Sequence, residues 1–230
     1  WVGNFYGLSK RAVERKEPYA FVFGADQRDP IALYELLKVL SDGMVEIHRA
    51  TEPFEIEGAF YGKGSYVVKL AQPYGAYAKT LCEVQHYLDL RQYPGGPPKL
   101  PYDVTGHTLP LMMGVKVSTV KKPFEAKLEM VTSLEKPCGS VSHDGESPWL
   151  LVSPNQNASA KVVNDLLRQG IEVCRTAVSY RDGKSVVSAG TFLVPKAASD
   201  VLAASCAKHG VSAAGAGQVK SPLFRLRQPR

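Results

Sequence analysis

Residues 19–50 read YAFVFGADQRDPIALYELLKVLSDGMVEIHRA, and this segment decides the fold class. Its first five residues are apolar and mostly aromatic, which is typical of a buried strand. A polar loop follows, and Asp29-Pro30 then predicts a helix start, because aspartate caps helices and proline favours the first helical position. Apolar residues recur at helical spacing until Gly43, which is predicted to end the helix. Residues 44–48 read as a second strand, so the segment predicts strand, loop, helix, strand.

The same order of elements returns at residues 149–177, WLLVSPNQNASAKVVNDLLRQGIEVCRTA. Glu46–Arg49 aligns with Glu172–Arg175, and at the same offset Gly64–Val68 aligns with Gly190–Val194. A constant offset over two separated strands indicates an internal duplication. The predicted fold is therefore α/β, with mostly parallel sheets flanked by helices and built from two similar strand-loop-helix-strand units.

The predicted domain organisation has four parts: a lead-in at 1–17, a first α/β unit at 18–125, a second α/β unit at 126–219 and a basic linker at 220–230 to a missing domain. A chain of 230 residues with 44% hydrophobic residues is long enough to bury a core. The net charge is +6, and the cations concentrated after Asp200 favour a solvated linker over a nucleic-acid site. No apolar run approaches the roughly 18 residues of a membrane span, and the first residues lack a signal-peptide pattern.

The candidate ligand-binding residues lie in the loops that follow strands. In an open α/β sheet, ligands bind outside the carboxyl ends of the strands, and helix N-termini there favour anions. The candidates are Asp26, Gln27, Arg28, Gln72, Tyr74, Asn155, Gln156 and Asn157. The alternative for Asp29 and Asn157 is that each caps the helix that follows it.

No catalytic or metal-binding residue is predicted. His143 and Glu146 fit the spacing H-x-x-E, but a zinc site needs a third protein ligand, and the only later histidine, His209, lies on a predicted helix. The four cysteines show no CxxC pair, and three of them lie in apolar stretches that predict burial. The glycine-rich GAFYGKGS is not a phosphate loop, because its lysine precedes a strand and no helix follows it.

Several segments together resemble one protein family. LPYDVTGHTLPLMMGVKV at 100–117 is similar to a segment of large bacterial proteins of the zinc carboxypeptidase (carboxypeptidase A-like) family, downstream of their metallopeptidase domain. PYAFVFGADQRDP, GKGSYVVKLAQPYGAYAKTL, LLVSPNQNASAKVVNDLL and AGTFLVP resemble other parts of this region in the same order. The final FRLRQPR resembles the linker before a class I glutamine amidotransferase-like domain.

The resemblance implies a non-catalytic accessory module, either a scaffold or a substrate-binding unit, in a periplasmic or secreted protein. Its implied partners are neighbouring domains of the same polypeptide and a peptide or cell-wall-derived ligand, with no nucleic acid and no membrane span. Zinc is expected only in the upstream domain, so no cofactor is expected here. Two alternatives stay open: an amidase or amidotransferase-like enzyme using Cys138 with His143 or His107, and a periplasmic small-ligand or sugar-binding module.

Overall fold

A computed structural model describes residues 1–86, 88–100, 107–143, 147–182 and 185–227. The chain forms two compact units, and one of the three chain boundaries between them falls within a helix. Unit 1 comprises Trp1–Gln27 and Glu35–Leu134, and unit 2 comprises Arg28–Tyr34 and Glu135–Arg230. Each unit contains its own β-sheet.

The first half of the chain forms four helices and seven strands in its described residues. The helices are α1 (Val2–Val13), α2 (Pro30–Asp42), α3 (Gly75–Cys82) and α4 (Leu109–Met113). The strands are β1 (Ala20–Phe23), β2 (His48–Ala50), β3 (Phe54–Ile56), β4 (Ala59–Tyr61), β5 (Tyr66–Lys69), β6 (Ser118–Val120) and β7 (Leu128–Met130).

The second half forms two α-helices and eight strands in its described residues. The helices are α5 (Ala158–Arg168) and α6 (Ser199–His209), the latter preceded by a 3₁₀ turn at Lys196–Ala198. The strands are β8 (Val141–Ser142), β9 (Trp149–Val152), β10 (Cys174–Thr176), β11 (Tyr180–Asp182), β12 (Ser185–Val187), β13 (Phe192–Pro195), β14 (Ala213–Ala216) and β15 (Leu223–Arg225).

The sheets are mostly antiparallel, so the prediction of mostly parallel sheets is wrong. In unit 1 the strand order is β6-β1-β5-β2-β7, and every neighbouring pair is antiparallel. Strands β1 and β2 run parallel, as a strand-helix-strand segment requires, but β5 lies between them and pairs with both. The hairpin of β3 and β4 reverses the chain before β5. A sequence pattern of alternating strands and helices does not reveal this insertion.

Unit 2 repeats the topology of unit 1. Its strand order is β15-β10-β13-β9-β14-β8, with β13 between β9 and β10, and its single parallel pair in the described residues joins β14 to β8. Each unit thus contains the β-α-β-β-α-β order of the ferredoxin-like split β-α-β arrangement. One further strand pairs with the second strand of this arrangement, β7 with β2 in unit 1 and β15 with β10 in unit 2. This topology serves many functions and identifies none by itself.

The two units also share local hydrogen bonds at matched positions. In unit 1 the Ala50 amide donates to the Ser65 carbonyl at 2.8 Å, while the Gly64 amide donates to the Ala50 carbonyl at 2.9 Å. In unit 2 Thr176 exchanges the same two bonds with Thr191 and Gly190. The Ser65 and Thr191 hydroxyls each donate to a carbonyl three residues earlier, both at 2.7 Å. The residue pairs that align in sequence are therefore structurally equivalent.

Each sheet packs against its own apolar cluster. In unit 1 the hairpin side chains Phe54, Ile56 and Tyr61 pack with buried residues of β1 and β5, and the ring of Phe124 stacks on Phe54 at 5.7 Å. In unit 2 the apolar faces of α5 and α6 pack on β9, β13 and β14. Burial of these side chains supplies the main favourable free energy of folding.

The end of α2 differs from the sequence prediction. The residue in the left-handed conformation is Met44, with φ of 62°, rather than Gly43. Gly43 is needed for another reason, since a Cβ atom there would lie 2.2 Å from the ring of Tyr77. In unit 2 the equivalent left-handed position after α5 is Gly170, with φ of 75°.

The terminal segments contain regular structure. Residues 2–13, within the predicted lead-in, form α1, which contacts α3. Leu223–Arg225, within the predicted linker, form the exposed edge strand β15. In the part of the chain that the structure describes, no helix has the length and apolar character needed to cross a membrane.

Candidate functional site

The loop before α2 contains a buried carboxylate that accepts hydrogen bonds from backbone amides at the starts of two helices, α2 and α5. Asp29 is 5% exposed. Its Oδ1 accepts hydrogen bonds from the Ile31 and Ala32 amides, both at 3.1 Å. Its Oδ2 accepts a third from the Asn157 amide, immediately before α5, at 2.9 Å. The capping prediction for Asp29 is therefore confirmed, and this carboxylate also caps the second helix.

Asn157 does not cap α5 with its own side chain, so that part of the capping prediction is wrong. The residue already has helical backbone angles, φ of −58° and ψ of −36°, and its side chain makes no capping hydrogen bond. A capping side chain normally belongs to a residue with extended backbone. The backbone amide of Asn157 is satisfied by Asp29 instead.

Two of the predicted ligand residues are glutamines that bind the backbone. Gln72 is 4% exposed, accepts from the Glu46 amide at 2.7 Å and donates to the carbonyls of Glu46 (3.0 Å) and Lys69 (2.6 Å). Gln27 accepts from the Lys116 amide at 2.8 Å and donates to the Lys116 carbonyl at 2.8 Å. Each side-chain amide thus binds both the backbone N–H and the backbone carbonyl of one residue outside its own loop, Glu46 for Gln72 and Lys116 for Gln27. Neither glutamine offers an unused donor pair to a ligand.

The other predicted ligand residues are mostly exposed. Arg28 Nε donates to the Asn155 carbonyl at 3.3 Å. The loop before α2 and the loop before α5 are therefore in contact at two points, Arg28 with Asn155 and Asp29 with Asn157. Gln156 has a buried Oε1 without a hydrogen-bond partner in the described residues. The two candidates that remain, Asp26 and Tyr74, are exposed, and Tyr74 lies directly before α3.

A pocket that the sequence analysis missed lies in unit 1, where β2 ends. Its volume is about 450 Å³. The lining residues are Arg49, Ala50, Thr51, Lys63, Gly64 and Glu129. The sequence feature that marks this pocket is Gly-Lys-Gly at 62–64, which was interpreted above only for its lack of the phosphate-loop pattern.

The pocket contains two cations and one carboxylate, with no ion pair of 4.0 Å or less among them. Arg49 and Glu129 are direct neighbours across β2 and β7, and so lie on one face of the sheet. In the described part of the chain, neither Arg49 nor Lys63 has a carboxylate oxygen within 4.0 Å. The Arg49 guanidinium lies 5.8 Å from the ring centre of Tyr66, which orients it by a cation–π contact.

Three of the four thiols are poor nucleophiles because they are buried. Burial raises the pKa of Cys82 to about 12 and that of Cys206 to about 11, and it also raises the pKa of Cys174. Cys138 is exposed, and its sulfur lies 3.7 Å from the Gly139 carbonyl oxygen. A thiol must lose its proton to attack a substrate, so the buried thiols stay unreactive near neutral pH.

A polar network connects α5 and α6 in unit 2. Asp165 Oδ2 accepts from Lys208 Nζ at 2.9 Å and lies 2.8 Å from His209 Nε2. These hydrogen bonds, that of His209 first, lower the pKa of Asp165 to about 2. Asp165 is therefore ionised at neutral pH and holds the two helices together.

The H-x-x-E sequence, for which no metal site is predicted, is described only in part. His143 is exposed, whereas residues 144–146 lie outside the described residues. Within the described ranges, no three His, Cys, Asp or Glu side chains are grouped closely enough to hold a metal ion.

Comparison of the chain with protein-family models, curated proteins and solved structures finds no match in any of the three.

Proposed function

We propose that this chain is a non-catalytic accessory module of a zinc carboxypeptidase-like protein, serving as a scaffold or as a substrate-binding unit. One observation carries the proposal: the polar side chains of Asp29, Gln27 and Gln72, in the loops that follow strands, bind backbone groups of the chain itself. These side chains maintain the framework of each unit. The segment resemblance at 100–117 supplies the family context.

The substrate-binding form is favoured by the pocket of unit 1. Its volume of about 450 Å³ lies within the ordinary range of small-ligand sites, and its charged side chains are unpaired. In this form the ligand is a peptide or a cell-wall-derived fragment, and the neighbouring domains of the same polypeptide are the other partners. The family resemblance favours a parent protein in the periplasm or outside the cell.

The rival function is a cysteine-dependent amidase that uses Cys138. It requires a thiol with a lowered pKa, held by a neighbouring base. Thiol labelling at pH 6 and pH 8 separates the two ideas. The amidase requires Cys138 to react rapidly even at pH 6, and slow labelling of Cys138 at pH 6 would exclude it.

The proposal is tested by incubating the chain with peptides and following release of C-terminal residues, with added zinc and with a chelator. We expect no release under either condition, while an authentic carboxypeptidase serves as the positive control. Release that the chelator abolishes would overturn the proposal. A thermal-shift panel of peptides, muropeptides and sugars then separates binding from a pure scaffold, because a ligand at 100 times its dissociation constant stabilises by about 2.7 kcal/mol.

A further inference from the structure

We propose that the pocket lined by Arg49, Lys63 and Glu129 binds a ligand that carries two carboxylates and one ammonium group, namely an acidic amino acid or a peptide containing one. This inference rests on the substrate-binding form of the proposed function and names its ligand class. It is carried by the charges of the pocket and by a comparison between the two units of the chain.

The charges of the pocket require a complementary ligand. Arg49 and Lys63 are exposed cations without a carboxylate partner in the described residues, and Glu129 lies beside Arg49 on the same face of the sheet. A guanidinium binds carboxylates through paired hydrogen bonds, and an ammonium adds a second anion site. Glu129 repels a ligand with anionic groups alone, such as inorganic phosphate, but attracts an ammonium group.

Unit 2 shows that the fold does not require this lining. The backbone bonds around the pocket are the same in both units, because Ala50 with Gly64 corresponds to Thr176 with Gly190. Both glycines have positive φ, 90° at Gly64 and 84° at Gly190. The backbone hydrogen bonds and the positive-φ glycine are thus present in both units.

The side chains that line the pocket differ between the units. Thr51, Lys63 and Glu129 of unit 1 correspond in strand position to Ala177, Ala189 and Phe224 of unit 2. The arginine is present in both, but Arg175 lies 5.7 Å from the ring centre of Phe224, where unit 1 has Glu129. Both arginines therefore contact an aromatic ring, Tyr66 in unit 1 and Phe224 in unit 2. The difference is the cross-strand neighbour, which is the carboxylate of Glu129 in unit 1 and the apolar ring of Phe224 in unit 2.

The arrangement also limits the position of the ligand. Gly64 leaves room beside the guanidinium, since a Cβ atom there would lie 3.6 Å from an Arg49 terminal nitrogen. One ligand carboxylate binds at Arg49, the other binds at Lys63, and the ammonium group binds at Glu129. Free glutamate and the dipeptide alanyl-glutamate both provide these groups, and they represent the free and the peptide-linked sources.

The test is isothermal titration calorimetry of the full chain with glutamate, alanyl-glutamate, glutamine, glutarate and inorganic phosphate. We expect glutamate or alanyl-glutamate to bind, and the tighter of the two identifies the source. Glutamine, which lacks one carboxylate, and glutarate, which lacks the ammonium, should each bind more weakly, by up to about fivefold, as expected for the loss of one exposed ion pair. Absence of binding by both glutamate and alanyl-glutamate would overturn the proposal.

The variants give each side chain a separate readout. Lys63→Ala should weaken glutamate binding about fivefold, and Glu129→Gln should remove most of the preference for glutamate over glutarate. The matched control is Lys122→Ala, which removes an exposed lysine of unit 1 outside the pocket and should leave affinity unchanged. Equal losses in Lys63→Ala and Lys122→Ala would contradict the site.

Failure of this inference is distinguishable from failure of the proposed function. Absence of glutamate and alanyl-glutamate binding, together with no release of C-terminal residues from peptides, would overturn the site while the accessory-module proposal stands. Chelator-sensitive peptide hydrolysis would overturn the non-catalytic proposal, whatever affinity the calorimetry gives for glutamate.

Discussion

The carboxylate of Asp29 accepts a hydrogen bond from the backbone amide of Asn157 at 2.9 Å, while its other oxygen caps α2 through Ile31 and Ala32. One buried side chain in unit 2 therefore satisfies amides at the starts of two helices. Helix N-termini carry partial positive charge, so a side-chain acceptor at this position suits both.

Replacing this carboxylate should destabilise the protein strongly. Asp29→Ala leaves three amides without their acceptor, and we expect a loss of about 3 kcal/mol in the free energy of unfolding, combining a lost cap with a buried unsatisfied amide. Urea denaturation followed by circular dichroism measures it. Asp26→Ala, in the same loop but exposed, is the control and should change stability by less than about 0.5 kcal/mol. Similar effects of the two variants would show that Asp29 does not hold these helices.

The glutamine that binds Glu46 should matter more than the one that binds Lys116. Gln72→Leu removes three hydrogen bonds at a buried position and should cost about 2–3 kcal/mol, because the Glu46 peptide group loses its partners. Gln27→Leu, at a partly exposed position where water can replace the side chain, should cost about 1 kcal/mol. The two variants are compared by the same denaturation experiment, and a reversed order would contradict this assignment.

Replacing Met44 by glycine should stabilise the protein. Its φ of 62° is unfavourable for a side chain, and the equivalent residue of unit 2 is already Gly170. Met44→Gly should therefore raise the free energy of unfolding by about 0.5–1 kcal/mol, and Gly170→Ala should lower it by about 1 kcal/mol. Destabilisation by Met44→Gly would mean that its side chain makes contacts that outweigh the backbone strain.

Asp165 should make stability depend on pH in the acid range. Its hydrogen bonds to His209 and Lys208 lower its pKa in the folded state to about 2, below the ordinary value of 3.8. A group with a lowered folded-state pKa stabilises the fold above its unfolded-state pKa, and this contribution is lost as the pH falls. The stability difference between wild type and Asp165→Asn should be largest above pH 4 and should vanish near pH 2.

Thermal denaturation at pH 2, 3, 4 and 5 measures this difference. Asp200→Asn is the control, because this exposed carboxylate lines the same groove between α5 and α6 without contributing to the network. A difference between wild type and Asp165→Asn that stays constant over this range would contradict the assignment.

The sequence predicted individual elements better than their arrangement. The apolar run at 19–23 contains β1, and Asp29-Pro30 marks the start of α2 because capping and proline geometry are local properties. Sheet order depends on long-range pairing, so nothing in the pattern at 19–50 reveals that β5 separates β1 from β2. Residues 44–48 read as a strand because of their apolar alternation, but pairing with β5 begins only at His48.

The candidate site was harder to predict than the fold. Polar residues after strands do cluster at helix starts, but the same side chains serve equally well as helix caps or backbone clamps, and Asp29 and Gln72 do so. The pocket combines Arg49, Lys63 and Glu129 from three separate segments, so no local motif announces it. Its clearest signal is the difference between the two copies, which becomes visible only when strand pairing aligns Glu129 with Phe224.

The most direct test of the account is an NMR titration of ¹⁵N-labelled protein with glutamate and alanyl-glutamate. The account predicts that amide shifts concentrate at Thr51, Lys63, Gly64 and Glu129, and that the amide of Asn157, held by Asp29, does not move. Shifts centred on residues 155–157, or no shifts with either ligand, would contradict it.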